Sequence, residues 1–215
     1  MSDIENKRAT EYAQNLSHEL LTPLAVIRSK AELLLQSKDL SKEDMKNIDV
    51  ILKTVERMSR LNKALILLSK IDSEVYQDIE ELDVNEIVSD SLEKFEDQIR
   101  FRSLQIRYQK KDPSALKSNR NLFEILITNL IKNAVFHNID SGKILITSDN
   151  KSFQIENTTN QTASEDLYTR FVSQGNDKDS IGLGLSIAKK ICDFLGYKIH
   201  HELADNRFVM TVHFN

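Results

Sequence analysis

Apolar residues recur at Ala13, Leu16, Leu20, Leu24, Ile27, Ala31 and Leu34, in steps of three and four. That spacing predicts a long amphipathic helix over about residues 5–37. A different stripe, Gln14, His18, Thr22 and Ser29, is polar, and His18 and Thr22 lie one turn apart on it, so the histidine is expected on the wet face. Pro23 removes a backbone donor from the helix interior and predicts a kink just past the histidine. Ser37-Lys38-Asp39-Leu40-Ser41 interrupts the pattern, and Ser41 followed by Asp44 has the spacing of a capped helix start. The series Met45, Ile48, Leu52, Val55, Met58, Leu61, Leu65 and Leu68 predicts a second helix to about Ile71. Two long helices joined by a short turn form an antiparallel hairpin with one apolar side uncovered. Pairing of two copies into a four-helix bundle covers that side, so a homodimer is expected.

The segment Asp72 to Glu81 is acidic and polar and reads as a linker. Leu82-Asp83-Val84 reads as a short strand, with Asn85 capping a helix to about Arg102. Leu104 to Tyr108 alternates like a half-buried strand, and Pro113 closes that region. A helix is expected from Asn119 to about Asn138, then strands Lys143–Thr147 and Ser152–Ile155 around the turn Asp149-Asn150. A helix from about Gly184 to Leu195 and strands Tyr197–Leu203 and Phe208–Phe214, turning at Asp205-Asn206, complete the pattern. Helices interleaved with mostly antiparallel strands predict an α+β sandwich. The expected domains are therefore a helical hairpin over 1–72, a linker over 73–81 and a sandwich over 82–215.

Composition narrows the function. The 215 residues are 40% hydrophobic and 29% charged with a formal net charge of -4, and no dense basic block stands out, which argues against nucleic acid as the main partner. Cys192 is the single cysteine, in an apolar helical setting without metal-ligand spacing around it; it reads as a buried structural thiol in a reducing, cytoplasmic compartment. No apolar run approaches the ~18 residues needed to span a bilayer, so any membrane connection is expected through a sensor segment outside these residues.

Three patterns carry candidate chemistry. Asn15-Leu16-Ser17-His18-Glu19-Leu20-Leu21-Thr22-Pro23-Leu24 sets a histidine, a carboxylate and a hydroxyl close together on one helix. Asn129, Asn133 and His137 lie at i, i+4 and i+8, a polar line beside the apolar Leu126, Leu130 and Ala134. Ser180-Ile181-Gly182-Leu183-Gly184-Leu185-Ser186 places a glycine pair where a helix opens, and glycines let backbone amides at a positive helix end approach a phosphate.

The order His-Glu-x-x-Thr-Pro, Asn-x-x-x-Asn-Ala, Gly-Leu-Gly-Leu resembles the sensor histidine kinases of two-component signalling, from about residue 10 to the end. The resemblance implies a dimerisation and histidine-phosphotransfer hairpin forming a dimeric four-helix bundle. After it would come a sandwich of the Bergerat (GHKL ATPase) type, shared with type II topoisomerases, Hsp90-type chaperones and MutL proteins. It implies ATP and Mg²⁺ as cofactors, with Asn133 coordinating Mg²⁺, Asn129 lining the cleft and His137 near the phosphates. Gly182, Leu183, Gly184 and Leu185 would border the phosphates at a lid over about Thr158 to Ser180. Tyr168-Thr169-Arg170-Phe171 resembles the aromatic box of that lid, with Arg170 as a phosphate contact. It further implies autophosphorylation of His18 assisted by Glu19, transfer to an aspartate of a response-regulator receiver domain, and a regulator-phosphatase role for Thr22.

The chain departs from the family pattern at three places. Leu21 stands where Arg is usual, which leaves the chemical residues alone. Ile155-Glu156-Asn157-Thr158-Thr159 replaces the usual Asp-x-Gly-x-Gly; Asn157 retains an acceptor and a donor for adenine. Phe136 stands where a Lys is frequent, so Arg170 or Lys178 would supply the positive contact. Two alternatives remain open: a phosphotransfer or phosphatase module with a degenerate ATP site, and a non-enzymatic dimeric helical scaffold. The placement likewise stays open between a cytoplasmic protein and the soluble part of an inner-membrane sensor.

Overall fold

The computed structural model describes residues 2–37, 40–72, 76, 78–160 and 184–215; of residues 2–18 and Asp72 it describes the helical backbone alone. Among the described residues, those up to Asp72 form one compact unit and those from Tyr76 onward a second.

The first unit is a helical hairpin of α1 (Ser2–Leu35) and α2 (Lys42–Asp72). The expected cap opens α2: Asp44 N donates to Ser41 Oγ at 3.0 Å, and Ser41 N returns a bond to Asp44 Oδ2 at 3.1 Å. α1 runs through Pro23 as a continuous helix. Burial splits the apolar stripes. Leu24 and Ala31 on α1 and Ile48 and Val55 on α2 are buried within the hairpin, each pair one heptad apart. Leu20, Ile27 and Leu34, and Ile51, Met58 and Leu65, also repeat every heptad, yet each remains between 43% and 55% exposed. Residues seven apart share a helix face, so each helix carries one covered seam and one open seam.

The second unit starts earlier than the acidic composition suggested. β1 (Glu80–Asp83) takes up the end of the expected linker and pairs antiparallel with β3 (Ala115–Ser118), a strand the sequence reading did not contain. Asn119 Nδ2 donates to Asp78 O at 2.9 Å and Arg120 pairs with Glu80 at 2.7 Å, tying the incoming chain down further. The expected helix from Asn85 to Arg102 is corrected twice. Its cap is Asp83, whose Oδ1 accepts from Asn85 N at 2.8 Å and Glu86 N at 3.3 Å. Asn85 turns its buried amide inward instead, where its Oδ1 accepts from Tyr108 and Ser148 hydroxyls at 3.0 and 2.7 Å. The helix also breaks into α3 (Val84–Glu93) and α4 (Glu96–Phe101), because Phe95 leaves helical geometry and sets its ring edge-on against Phe136, 6.3 Å between centroids. Asp83→Ala is expected to cost about 1 kcal/mol of stability, read as a lower denaturation midpoint at unchanged denaturant slope.

Five strands build the main sheet in the order β2-β4-β5-β7-β6. β2 (Gln105–Lys110) runs parallel to β4 (Lys143–Ser148); β5 (Ser152–Thr158), β7 (Arg207–His213) and β6 (Lys198–Ala204) continue antiparallel. The predicted turns hold: Asp149 Oδ1 accepts from Lys151 N and Ser152 N, both at 2.8 Å, and Asp205 and Asn206 take φ of 51° and 58°. Those positive values suit a hairpin turn and residues that tolerate the left-handed region. One sheet face, with Ile144, Ile146, Phe153, Ile155, Met210 and Val212, is buried against helices. α5 (Arg120–Phe136) packs on β5 with α3 and α6 (Gly184–Leu195) beside it. The other face alternates out to solvent, the period-two pattern of a half-covered sheet.

Cys192 on α6 is fully buried, as expected, and burial pushes its thiol up from the ordinary 9.0 to about 12. In the native chain at pH 8 it is expected to react with a disulfide reagent at least ~100-fold more slowly than in denaturant. Because the folded value lies above the unfolded one, this contribution to stability is whole below pH 9.0 and is lost as pH rises toward about 12. A melting temperature that falls over that range, with a shallower fall in Cys192→Ala, checks it.

Candidate functional site

Two sets of residues were singled out from sequence, one on each unit. On the hairpin, His18, Glu19 and Thr22 all lie on α1. The side chain of His18 is outside the described residues; Glu19 and Thr22 are exposed. Thr22 borders a shallow surface depression with Leu21, Ala25, Val26 and Ser29, so this side of the helix is open one turn beyond His18. A solvent-facing turn holding a carboxylate and a hydroxyl beside a histidine can receive a group from outside.

On the sandwich, the polar line sits on α5, whose start is fixed by Asn119: its Oδ1 accepts from Leu122 N at 3.0 Å. Leu122, Phe123, Leu126, Ile127, Leu130, Ile131, Ala134 and Val135 are its buried face, which leaves Asn129 and Asn133 half-buried at the border of the core. Asn129 Nδ2 donates back to Ile125 O at 2.9 Å, an i−4 bond that turns its oxygen outward from its own turn. His137 is corrected from a helical residue to the C-cap, with φ −93° and ψ 13°; its N–H still donates to Asn133 O at 3.0 Å.

α6 begins at Gly184 beside this line. A Cβ built on Gly184 would lie 3.4 Å from Asn129 Oδ1, so the glycine lets the start of α6 come close to the polar face of α5. The first amides of a helix have no intrahelical partner and mark its positive end. Asn129 and Gly184 are thus brought together, with Leu185 next in the first turn of α6; Gly182, Leu183 and Arg170 lie outside the described residues, as does the aromatic box. Asn157 is in strand β5 rather than in a loop after it, buried at 2% exposure between Ile144 and Phe208 of the neighbouring strands. It therefore points to the helix-covered face, the side of β5 on which α5 packs, and its Nδ2 donates to Thr158 O at 3.0 Å. Thr159, where the family has glycine, is buried and its N–H donates to Asn206 O at 2.8 Å.

Phe136 is 40% exposed with Lys132 Nζ 5.8 Å from its ring centroid, so a cation lies one turn before the position that lost its lysine. Sequence reasoning missed Arg102. It follows α4, in a stretch where a basic side chain gives no signal, yet its guanidinium reaches the end of α5.

Comparison with known proteins extends this picture. Residues 8–74 match the model of the His Kinase A (phospho-acceptor) domain, and residues 118–215 match that of the Histidine kinase-, DNA gyrase B-, and HSP90-like ATPase. The heme sensor protein HssS of Staphylococcus saprophyticus is 29% identical over 205 residues, 88% of this chain and 42% of HssS. The Acinetobacter baumannii histidine kinase AdeS is similar in structure with a TM-score of 0.66 at 21% identity, over 92% of this chain and 97% of that one. The histidine kinase ThkA, solved in complex with the response regulator TrrA, gives a TM-score of 0.61 at 22% identity over 95% of this chain and 60% of that one. The chain spans less than half the length of the curated relatives it matches. With a phospho-acceptor helix and an ATPase sandwich following one another, and the two family models between them matching most of its residues, the chain belongs to the sensor histidine kinase family.

Proposed function

We propose that this chain is an ATP-dependent protein-histidine kinase that phosphorylates its own His18 and passes the phosphoryl group to an aspartate of a response-regulator receiver domain. The observation that carries the reading is the approach of α6 at Gly184 to Asn129 on α5: the glycine end of one helix lies against a polar line on the helix that also bears Asn133 and His137. The buried amide of Asn157, on the strand beneath α5, is the matching candidate for adenine. The domains are proposed as 1–72 for the acceptor hairpin and, with β1 moving the expected start at 82 back, 80–215 for ATP binding, joined by the segment between them.

The neutral imidazole of His18 attacks the γ-phosphorus in line; the new N–P bond forms as the bond to the bridging oxygen breaks, and ADP leaves. Glu19 accepts a hydrogen bond from the other ring N–H, fixes the tautomer and balances the positive charge that develops. Asn133 fits a magnesium ion: its amide oxygen is a hard, neutral oxygen donor, and it sits half-buried on the polar line of α5. Bound Mg²⁺ neutralises phosphate charge, which with positioning is most of what phosphoryl transfer requires. Thr22, exposed one turn beyond His18, is proposed to orient a water for dephosphorylating the regulator.

The open heptad seams of α1 and α2 support a homodimer through a four-helix bundle, and the ThkA–TrrA complex supports a receiver domain as partner. Among the described residues no helix is long and apolar enough to cross a membrane; we place these residues in the cytoplasm, where ATP and the regulator are at hand. One observation favours the second reading, a phosphotransfer module with a degenerate ATP site: Asn157 already spends a donor on Thr158 O. Incubation with γ-labelled ATP and Mg²⁺ decides between them. Acid-labile, alkali-stable label on the chain supports the kinase. A folded, nucleotide-free preparation that takes no label yet accepts phosphate from a phosphorylated regulator supports the other.

A further inference from the structure

Arg102 is not part of any pattern that identifies the family, but it makes the densest set of polar contacts at the end of α5. Its Nη1 donates to Val135 O at 2.6 Å and to Phe136 O at 2.9 Å, its Nη2 donates to Asn138 O at 2.5 Å, and its Nε pairs with Asp140 Oδ1 at 2.9 Å. Its own carbonyl accepts from Ser141 N at 2.9 Å. Val135 and Phe136 are the last residues of α5, whose carbonyls lack intrahelical donors. One planar fork therefore closes the helix end and the connection to β4, on both sides of His137.

The side chain is only 22% exposed, and the backbone that delivers it is itself unusual: Ser103, the next residue, holds φ at +51°. A left-handed serine there lets the chain leave α4 sharply and enter β2, which puts Arg102 under the end of α5. The helix end it closes is the one that carries Asn133 in its last turn and His137 at its cap. A guanidinium also offsets the negative end of the helix, which would otherwise confront the phosphates.

We propose that Arg102 is a positioning residue for the nucleotide: by gathering the terminal carbonyls of α5 it fixes Asn133 and His137 for the phosphates and neutralises the helix end facing them. This rests on the ATP-binding reading given above. Lysine replaces it only in part, because a single ammonium keeps the charge but lacks the fork that spans three carbonyls. Asp140, at 82% side-chain exposure, is a surface partner whose loss matters little.

The test uses the full chain and three variants, Arg102→Met, Arg102→Lys and Asp140→Asn. Affinity for a fluorescent ATP analogue is measured with Mg²⁺ in excess, well below each variant's melting temperature, where all are fully folded. The expected result is a roughly tenfold or greater loss of affinity in Arg102→Met and only partial recovery in Arg102→Lys. Asp140→Asn stays within about twofold of the parent. A purely structural role would lower the melting temperature of Arg102→Met and leave the affinity of the folded protein unchanged, and that outcome overturns the inference alone. A folded parent that binds no nucleotide overturns the ATP-binding reading and the inference with it.

Discussion

His18→Gln is expected to abolish incorporation of phosphate from γ-labelled ATP, to below about a thousandth of the parent rate, since a side chain without a nucleophilic nitrogen offers no covalent acceptor. Nucleotide affinity is expected to stay within about twofold, because position 18 lies on the hairpin and the nucleotide residues on the sandwich. Asn133→Ala is expected to give the converse: label lost by about two to three orders of magnitude through lost charge stabilisation, with the acceptor intact. Mixing the two variants then reports on the assembly. Label recovered in the mixture means that the sandwich of one copy reaches the hairpin of its partner; label absent from it, while each variant binds its other partner normally, means that transfer stays within one copy. Label in His18→Gln comparable to the parent, acid-labile or acid-stable, would place the acceptor elsewhere and sink the assignment.

The second large effect concerns assembly. Met58→Glu is expected to weaken the homodimer by a hundredfold or more. Met58 belongs to the open seam with Ile51 and Leu65, and Leu20, Ile27 and Leu34 form its counterpart on α1. Pairing two hairpins would cover these side chains at about 25 cal/mol per Å² of apolar surface. Even a neutral polar group left unpaired in that seam costs roughly 2–7 kcal/mol, and an ionised carboxylate costs more; a hundredfold change needs only ~2.7 kcal/mol. Sedimentation equilibrium measures it, with helical circular dichroism as the control that the hairpin persists. Glu43→Gln, in the first turn of α2, provides the comparison and is expected to leave the dimer intact. A parent that sediments as a monomer, or a Met58→Glu protein as dimeric as the parent, removes the bundle.

Much of the local structure was legible because its causes are local. The Ser41–Asp44 cap, the Asp149 turn and the Asp205-Asn206 hairpin each rest on side chains acting within a few residues of themselves. What failed was decided at a distance. β3 is a short strand that pairs Leu116 with Leu82 across the intervening α3, α4 and β2, and nothing in Ala115-Leu116-Lys117-Ser118 announces a partner. Asn85 reads as a cap on propensity, yet Tyr108 and Ser148 claim its amide and Asp83 takes the cap. The break at Phe95 has no Pro or Gly to mark it; it follows from the ring's contact with Phe136.

The same division holds for the candidate site. Sequence alone determined which residues are candidates for chemistry and placed His18, Glu19 and Thr22 on α1 and the Asn129–Asn133 polar line on α5, because helical period and residue type are properties of the chain itself. Only the tertiary structure decided that Gly184 comes up against Asn129, that Asn157 turns into the covered face of the sheet, and that Arg102 closes the end of α5. It also decided which apolar seam of each hairpin helix is covered within the chain and which stays open. Those outcomes depend on which faces meet, and contact between residues far apart in sequence is set by packing the whole core, a quantity no local pattern encodes.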